Sequence, residues 1–136
     1  MLGLRRLIGS RQIDSFFDRL KGTIMAIKST KNERITENIV REKLRALKYD
    51  EARGINVEEQ RSTVATIAKL LKDSSKTGGG GQGSPEFLVH SPETPDFVLI
   101  VECKADVKAH ESATLDRPVE FAVDGVLHYA RTLSKE

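Results

Sequence analysis

The chain has one cysteine, Cys103, and no tryptophan among its 136 residues. A lone thiol excludes an internal disulfide framework and a zinc site built on several cysteines. No apolar stretch approaches the ~18 residues of a membrane-spanning helix. The start, Met1-Leu2-Gly3-Leu4-Arg5-Arg6, lacks the long apolar segment and cleavage site of a secretory signal, so the cytoplasm is the expected compartment. Apolar residues are 38% of the chain, a low but globular fraction, and the length suits one domain with a modest core. The run Gly78-Gly79-Gly80-Gly81-Gln82-Gly83-Ser84 is not followed by the Gly-Lys-Ser or Gly-Lys-Thr that a phosphate-binding loop needs. Lys76-Thr77 stand before the glycines and a strand follows, which excludes nucleotide binding. The run reads as a mobile connector, native or engineered; the functional alternative is that its amides approach a DNA phosphate. His90 and His110 have no partners at metal-ligand spacing and read as surface or turn residues.

Net charge is only +2, but it is unevenly placed. Residues 1–48 hold twelve Lys or Arg against five acids, while residues 49–136 hold ten against fifteen. A basic half beside an acidic one fits a phosphate-tracking surface next to a metal site. Solvated helix faces account for the same charges equally well.

What the chain does contain is an acid pair with a lysine. Pro85-Glu86 is followed, after fifteen residues, by Glu102-Cys103-Lys104. Glu86-Phe87-Leu88-Val89-His90 reads as a short strand, and Ser91-Pro92-Glu93-Thr94-Pro95-Asp96 as a turn. Phe97-Val98-Leu99-Ile100-Val101-Glu102 reads as a strand covered on both faces. If the two strands form a hairpin, Glu86 lies across from Val101 or Glu102, and the two acids meet at one end of the sheet. The strand period then puts Lys104 on the same face as Glu102. Two oxygen-ligand acids beside a lysine suit a hard divalent cation and a polarised water aimed at a phosphodiester. Asp96 is the rival acid. It stands six residues before Glu102 on one strand, about 20 Å away at ~3.3 Å per residue, too far to share an ion.

Helical periods surround this unit. Ile13, Phe16, Phe17, Leu20, Ile24 and Ile27 predict an amphipathic first helix within residues 1–32. A second helix is predicted over Thr36–Lys48, with Val40, Leu44 and Leu47 inward and Glu37 continuing that stripe. An acid there calls for a cation partner, unless it is a first-turn glutamate favoured by the helix dipole. A third helix is predicted over Val57–Lys72, burying Val64, Ile67, Ala68 and Leu71. Pro118 suits the first turn of a last helix, with Ala122, Val126, Ala130 and Leu133 inward, or Val123, Leu127 and Ala130. Asp124 and His128, four apart, are spaced to pair. Cys103 alternates with its neighbours and points into apolar packing.

Pro85-Glu86…Glu102-Cys103-Lys104 resembles the signature of the PD-(D/E)XK nucleases, with Glu in place of the first Asp. Ile35-Thr36-Glu37-Asn38-Ile39-Val40-Arg41-Glu42-Lys43-Leu44 resembles the opening helix of that superfamily, whose glutamate faces the metal site. Val119–Tyr129 resembles the helix after the E-x-K strand, with Gly125 where many such nucleases carry a glutamine. The similarity covers roughly residues 33–133 and points to the amino-terminal endonuclease domains of type IIG and type I restriction-modification enzymes. It implies an α/β fold, a small sheet with a central hairpin flanked by helices, occupying residues 33–136 and truncated at its C-terminus. It also implies Mg²⁺ held by Glu86, Glu102, the Cys103 carbonyl and Glu37, with Glu86, Glu102, Lys104 and Glu37 as the catalytic set. His128 or Tyr129 would reach a phosphate, packing or a local hydrogen bond being the equal alternative. The implied partners are double-stranded DNA and covalently linked methyltransferase, specificity or helicase domains. A repair or recombination nuclease of the same superfamily, and a catalytically silent DNA-binding or docking module, are the other readings.

Overall fold

The computed structural model describes residues 32–134. The amphipathic segment expected around Ile13–Ile27 lies outside the described residues. Helix α1 spans Glu33–Ala46 and opens on Asn32, whose side chain accepts the Arg34 N–H at 3.0 Å. Glu33 in its first turn and Lys43 and Arg45 in its last complement the helix dipole. Lys48, at φ 58°, turns the chain out of the helix, and the Tyr49 and Lys48 amides close on the Leu44 and Arg45 carbonyls. The helix starts three residues before the expected Thr36. Its buried stripe is Thr36, Val40 and Leu44; Leu47, expected inside, is exposed.

The expected helix over Val57–Lys72 is a correction. Asn56–Glu58 forms strand β1, and only Ala65–Leu71 is helical, as α2. Val57 and its β-branched neighbour Ile55 tolerate extension well. The deciding partner is remote: the free edge of the Phe87–His90 strand, which β1 satisfies.

Strands β2, Phe87–His90, and β3, Val98–Val101, form the expected hairpin. Their antiparallel register pairs Phe87 with Val101 and His90 with Val98, and β1 joins the other edge of β2 to give the order β1-β2-β3. The sheet therefore has three strands where two were legible, and the described residues make a small α/β fold of three α-helices on a three-stranded antiparallel sheet.

Strand alternation splits the core in two. Phe87, Val89, Leu99, Val101 and Cys103 pack on Val40 and Leu44 of α1. Leu88 and Ile100 face the other way, onto Ile67 and Leu71 of α2 and Tyr129 of the last helix. That helix, α3, spans Ala122–Leu133. Pro118 precedes it by several residues instead of opening it. Its buried side is Asp124, Gly125 and Tyr129, a step around from both expected stripes. Gly125 permits this, because a Cβ there would stand 3.1 Å from Glu102 Oε2. Asp124 tolerates burial because it accepts hydrogen bonds from the Ser112 and Arg117 amides and the Ser112 hydroxyl. It does not pair with His128. Among the described residues no helix is long and apolar enough to cross a membrane.

Candidate active site

The register that pairs Phe87 with Val101 sets Glu86 directly opposite Glu102, one residue beyond the ladder. Both side chains belong to the face that carries Leu88 and Ile100. The hairpin thus performs the juxtaposition expected of it. Asp96 is exposed in the turn at the opposite end of the hairpin, beyond the pairing of His90 with Val98.

Glu102 is buried, its side chain wholly out of solvent. Lys76 Nζ donates to its Oε2 at 2.6 Å. Neither Glu102 Oε1 nor Glu86 Oε2, both buried, receives a hydrogen bond. Two adjacent buried carboxylates are costly to ionise together, and a proton on Glu102 gives the pair the donor it lacks. Burial, then hydrogen bonding to Glu86 and repulsion by it, lifts Glu102 to about 8; Lys76 acts the other way without cancelling them. Burial alone would lower the Lys76 ammonium, but Glu102 and then Glu86 hold it above its ordinary value, so Lys76 stays charged.

Lys76 is the residue that sequence reasoning missed. It stands at the start of the glycine-rich loop, whose base is fastened. Gly83 N–H donates to the Leu71 carbonyl at 2.7 Å and Ser75 N–H to the Gly81 carbonyl at 3.0 Å. His128 Nε2–H donates to the Ser74 carbonyl at 2.8 Å, and the Tyr129 hydroxyl accepts the Ser84 N–H at 2.9 Å. His128 and Tyr129, considered for phosphate contact, are thus engaged with the loop that carries Lys76. Lys76 Nζ also lies 5.6 Å from the centre of the Tyr129 ring. The only sequence signal for it is a lysine next to a glycine run that lacks the pattern of a nucleotide loop. Gly78, Gly80 and Gly81 have positive φ at the loop tip, with no neighbour near their Cβ positions, so the tip bends sharply in open space.

The other expected residues lie elsewhere. β3 ends at Val101, and Lys104 Nζ reaches Glu33 Oε1 of α1 at 3.2 Å. The Lys104 carbonyl accepts the Thr36 hydroxyl at 3.2 Å, so residue 104 ties α1 to the end of the hairpin. Glu37 is half-buried on α1, the helix whose Val40 and Leu44 pack on the Phe87–Val101 face, and its charge acts on Arg41 and Cys103. Cys103 is buried among apolar side chains, and burial, followed by the surrounding carboxylates, pushes its thiol far up. It is an inert thiol. His90, expected at the surface, is buried on β2, with Nε2 3.1 Å from Glu58 Oε2.

Among the described residues no three His, Cys, Asp or Glu side chains converge as a metal-binding group. A cation bound here would have the pair Glu86 and Glu102 as carboxylate donors, each with an oxygen that no hydrogen bond claims. That set fits Mg²⁺, which often takes only one or two carboxylates from a protein and fills its shell with water and substrate phosphate. No family model, curated protein or solved structure matches the chain.

Proposed function

We propose that this chain is a Mg²⁺-dependent endonuclease domain of a restriction-modification enzyme, hydrolysing phosphodiester bonds in double-stranded DNA. The observation that carries the reading is the opposition of Glu86 and Glu102 at one end of the hairpin, each with a buried oxygen free of hydrogen bonds. Glu86 and Glu102 would hold the ion, with the Cys103 carbonyl at the same strand end as a further oxygen. When bound, Mg²⁺ supplies Lewis acidity to the phosphate and lowers the pKa of an attacking water. The protein's own share is positional. The carboxylates, fixed by the sheet, set where the phosphate sits, and burial strengthens every charge interaction there. Glu102 must lose its proton before it can serve as a ligand. Basic residues of α1, Arg34, Lys43 and Arg45, are exposed and available to a DNA backbone. Linked methyltransferase, specificity or helicase domains would supply sequence recognition.

The test is plasmid cleavage by the full-length protein with Mg²⁺ and with chelator, for wild type, Glu86→Gln and Asp96→Asn. Wild type and Asp96→Asn are expected to cut and Glu86→Gln to be inactive. Wild type that binds DNA but never cuts would favour the silent docking module, in which Lys76 serves only to neutralise Glu102.

A further inference from the structure

We propose that the lysine serving this site is Lys76, presented by the glycine-rich loop, and that Lys104 is a structural lysine anchoring α1. The inference rests on the endonuclease reading and names which cation faces the reacting phosphate. Its basis is placement. Lys76 Nζ is 2.6 Å from Glu102 Oε2, while Lys104 Nζ is 3.2 Å from Glu33. Lys104 is thus occupied with the helix on the opposite face of the sheet from the acid pair.

A purely structural role for Lys76 explains less. Burying a Lys–Glu pair is a poor route to stability unless the remaining polar atoms are satisfied. Here the Lys76 ammonium donates to Glu102 Oε2 and still has two N–H groups to offer. The loop is also built to hold Lys76 in place. Leu71 accepts Gly83, Ser74 accepts His128, and Tyr129 accepts Ser84, so helices α2 and α3 both brace its base. A preorganised cation is what a phosphoryl-transfer site needs.

In the reaction the water oxygen bonds to phosphorus and the P–O ester bond breaks. The water's proton passes to solvent, and the leaving oxygen takes a proton up. Lys76 exchanges no proton in this scheme. Its N–H groups hold a non-bridging phosphate oxygen, and its charge offsets the negative charge that builds there. Lys104 Nζ is paired instead with Glu33 of α1.

The experiment compares Lys76→Met, Lys76→Arg and Lys104→Met in the full-length protein. It reads supercoiled plasmid cleavage with Mg²⁺, Mn²⁺ affinity by calorimetry, and fold by circular dichroism. Lys76→Met is expected to lose about 100-fold or more in cleavage rate, the size seen when one transition-state donor is removed. Its Mn²⁺ affinity should stay equal or tighten, because a competing ammonium has gone. Lys76→Arg should recover part of the rate. Lys104→Met should lose a few-fold at most, in step with its loss of melting temperature. If Lys76→Met does not fold, Lys76→Arg decides, since a displaced guanidinium should still cost about tenfold. Lys76 variants that cut like wild type, or a dead Lys104→Met that is fully folded, would overturn the lysine assignment and leave the nuclease reading standing. Wild type that neither cuts nor binds Mn²⁺ would overturn both.

Discussion

Glu102→Gln isolates the electrostatic strain at the acid pair. Without metal the folded protein keeps a proton on Glu102 up to about pH 8, whereas the ordinary value is 4.5. Below about pH 4.5 the group is protonated in both states and contributes no difference. Between 4.5 and about 8 the unfolded chain gives up this proton and the native state keeps it. The native state binds more protons there, so stability falls as pH rises. At about 1.4 kcal/mol per pH unit the whole displacement is worth roughly 5 kcal/mol. Glu102 titrates together with neighbouring charges, so about 2–4 kcal/mol is the expected share. Glutamine keeps the shape of protonated Glu102: its oxygen accepts from Lys76 and its amide donates towards Glu86. The variant should therefore match wild type near pH 5 and exceed it by a few kcal/mol near pH 9. For a domain of this size that is roughly 10 °C in melting temperature. Thermal melts from pH 5 to pH 9, in chelator, measure it. A difference between the two proteins that stays constant across this range would refute the assignment of a buried, proton-holding pair.

Two further outcomes follow from the same geometry. Mg²⁺ should raise the melting temperature of wild type more at pH 8 than at pH 6, because binding must expel the Glu102 proton. Glu37→Gln should show the wild-type shift and Glu102→Gln almost none, since Glu37 sits on α1, the helix packed on the other face of the sheet; a shift lost in Glu37→Gln would place that carboxylate in the site. Gly83→Ala should cost about 2–3 kcal/mol by denaturant melts, because its Cβ would collide with the Ser74 hydroxyl and stand 2.8 Å from Tyr129 Cε1 and 3.0 Å from the Ser74 carbonyl, and turning Ser74 leaves the last two contacts in place.

The sequence by itself determined the hairpin and its consequence. Two apolar runs bracketing a proline-rich turn fold back as an antiparallel pair, and counting outward from that turn brings Glu86 across from Val101 or Glu102; the pairing of Phe87 with Val101 settles it on Glu102. It also determined the separation of Asp96 from Glu102, the inward Cys103 and the existence of α1, because each rests on a short period or a local turn. Tertiary structure decided the rest, wherever the partner is remote in sequence. Asn56–Glu58 is a strand because β2 has an open edge, which no local propensity reports. The inner face of α3 is set by Gly125 meeting Glu102 and by Asp124 finding Ser112, and neither contact leaves an apolar signal. Lys104 lies two residues from Glu102 and serves a helix, while Lys76 lies twenty-six residues away and touches it. Strand period relates neighbours along a chain; a loop folded back across a sheet end relates residues only through space, and that is where the site's positive charge comes from.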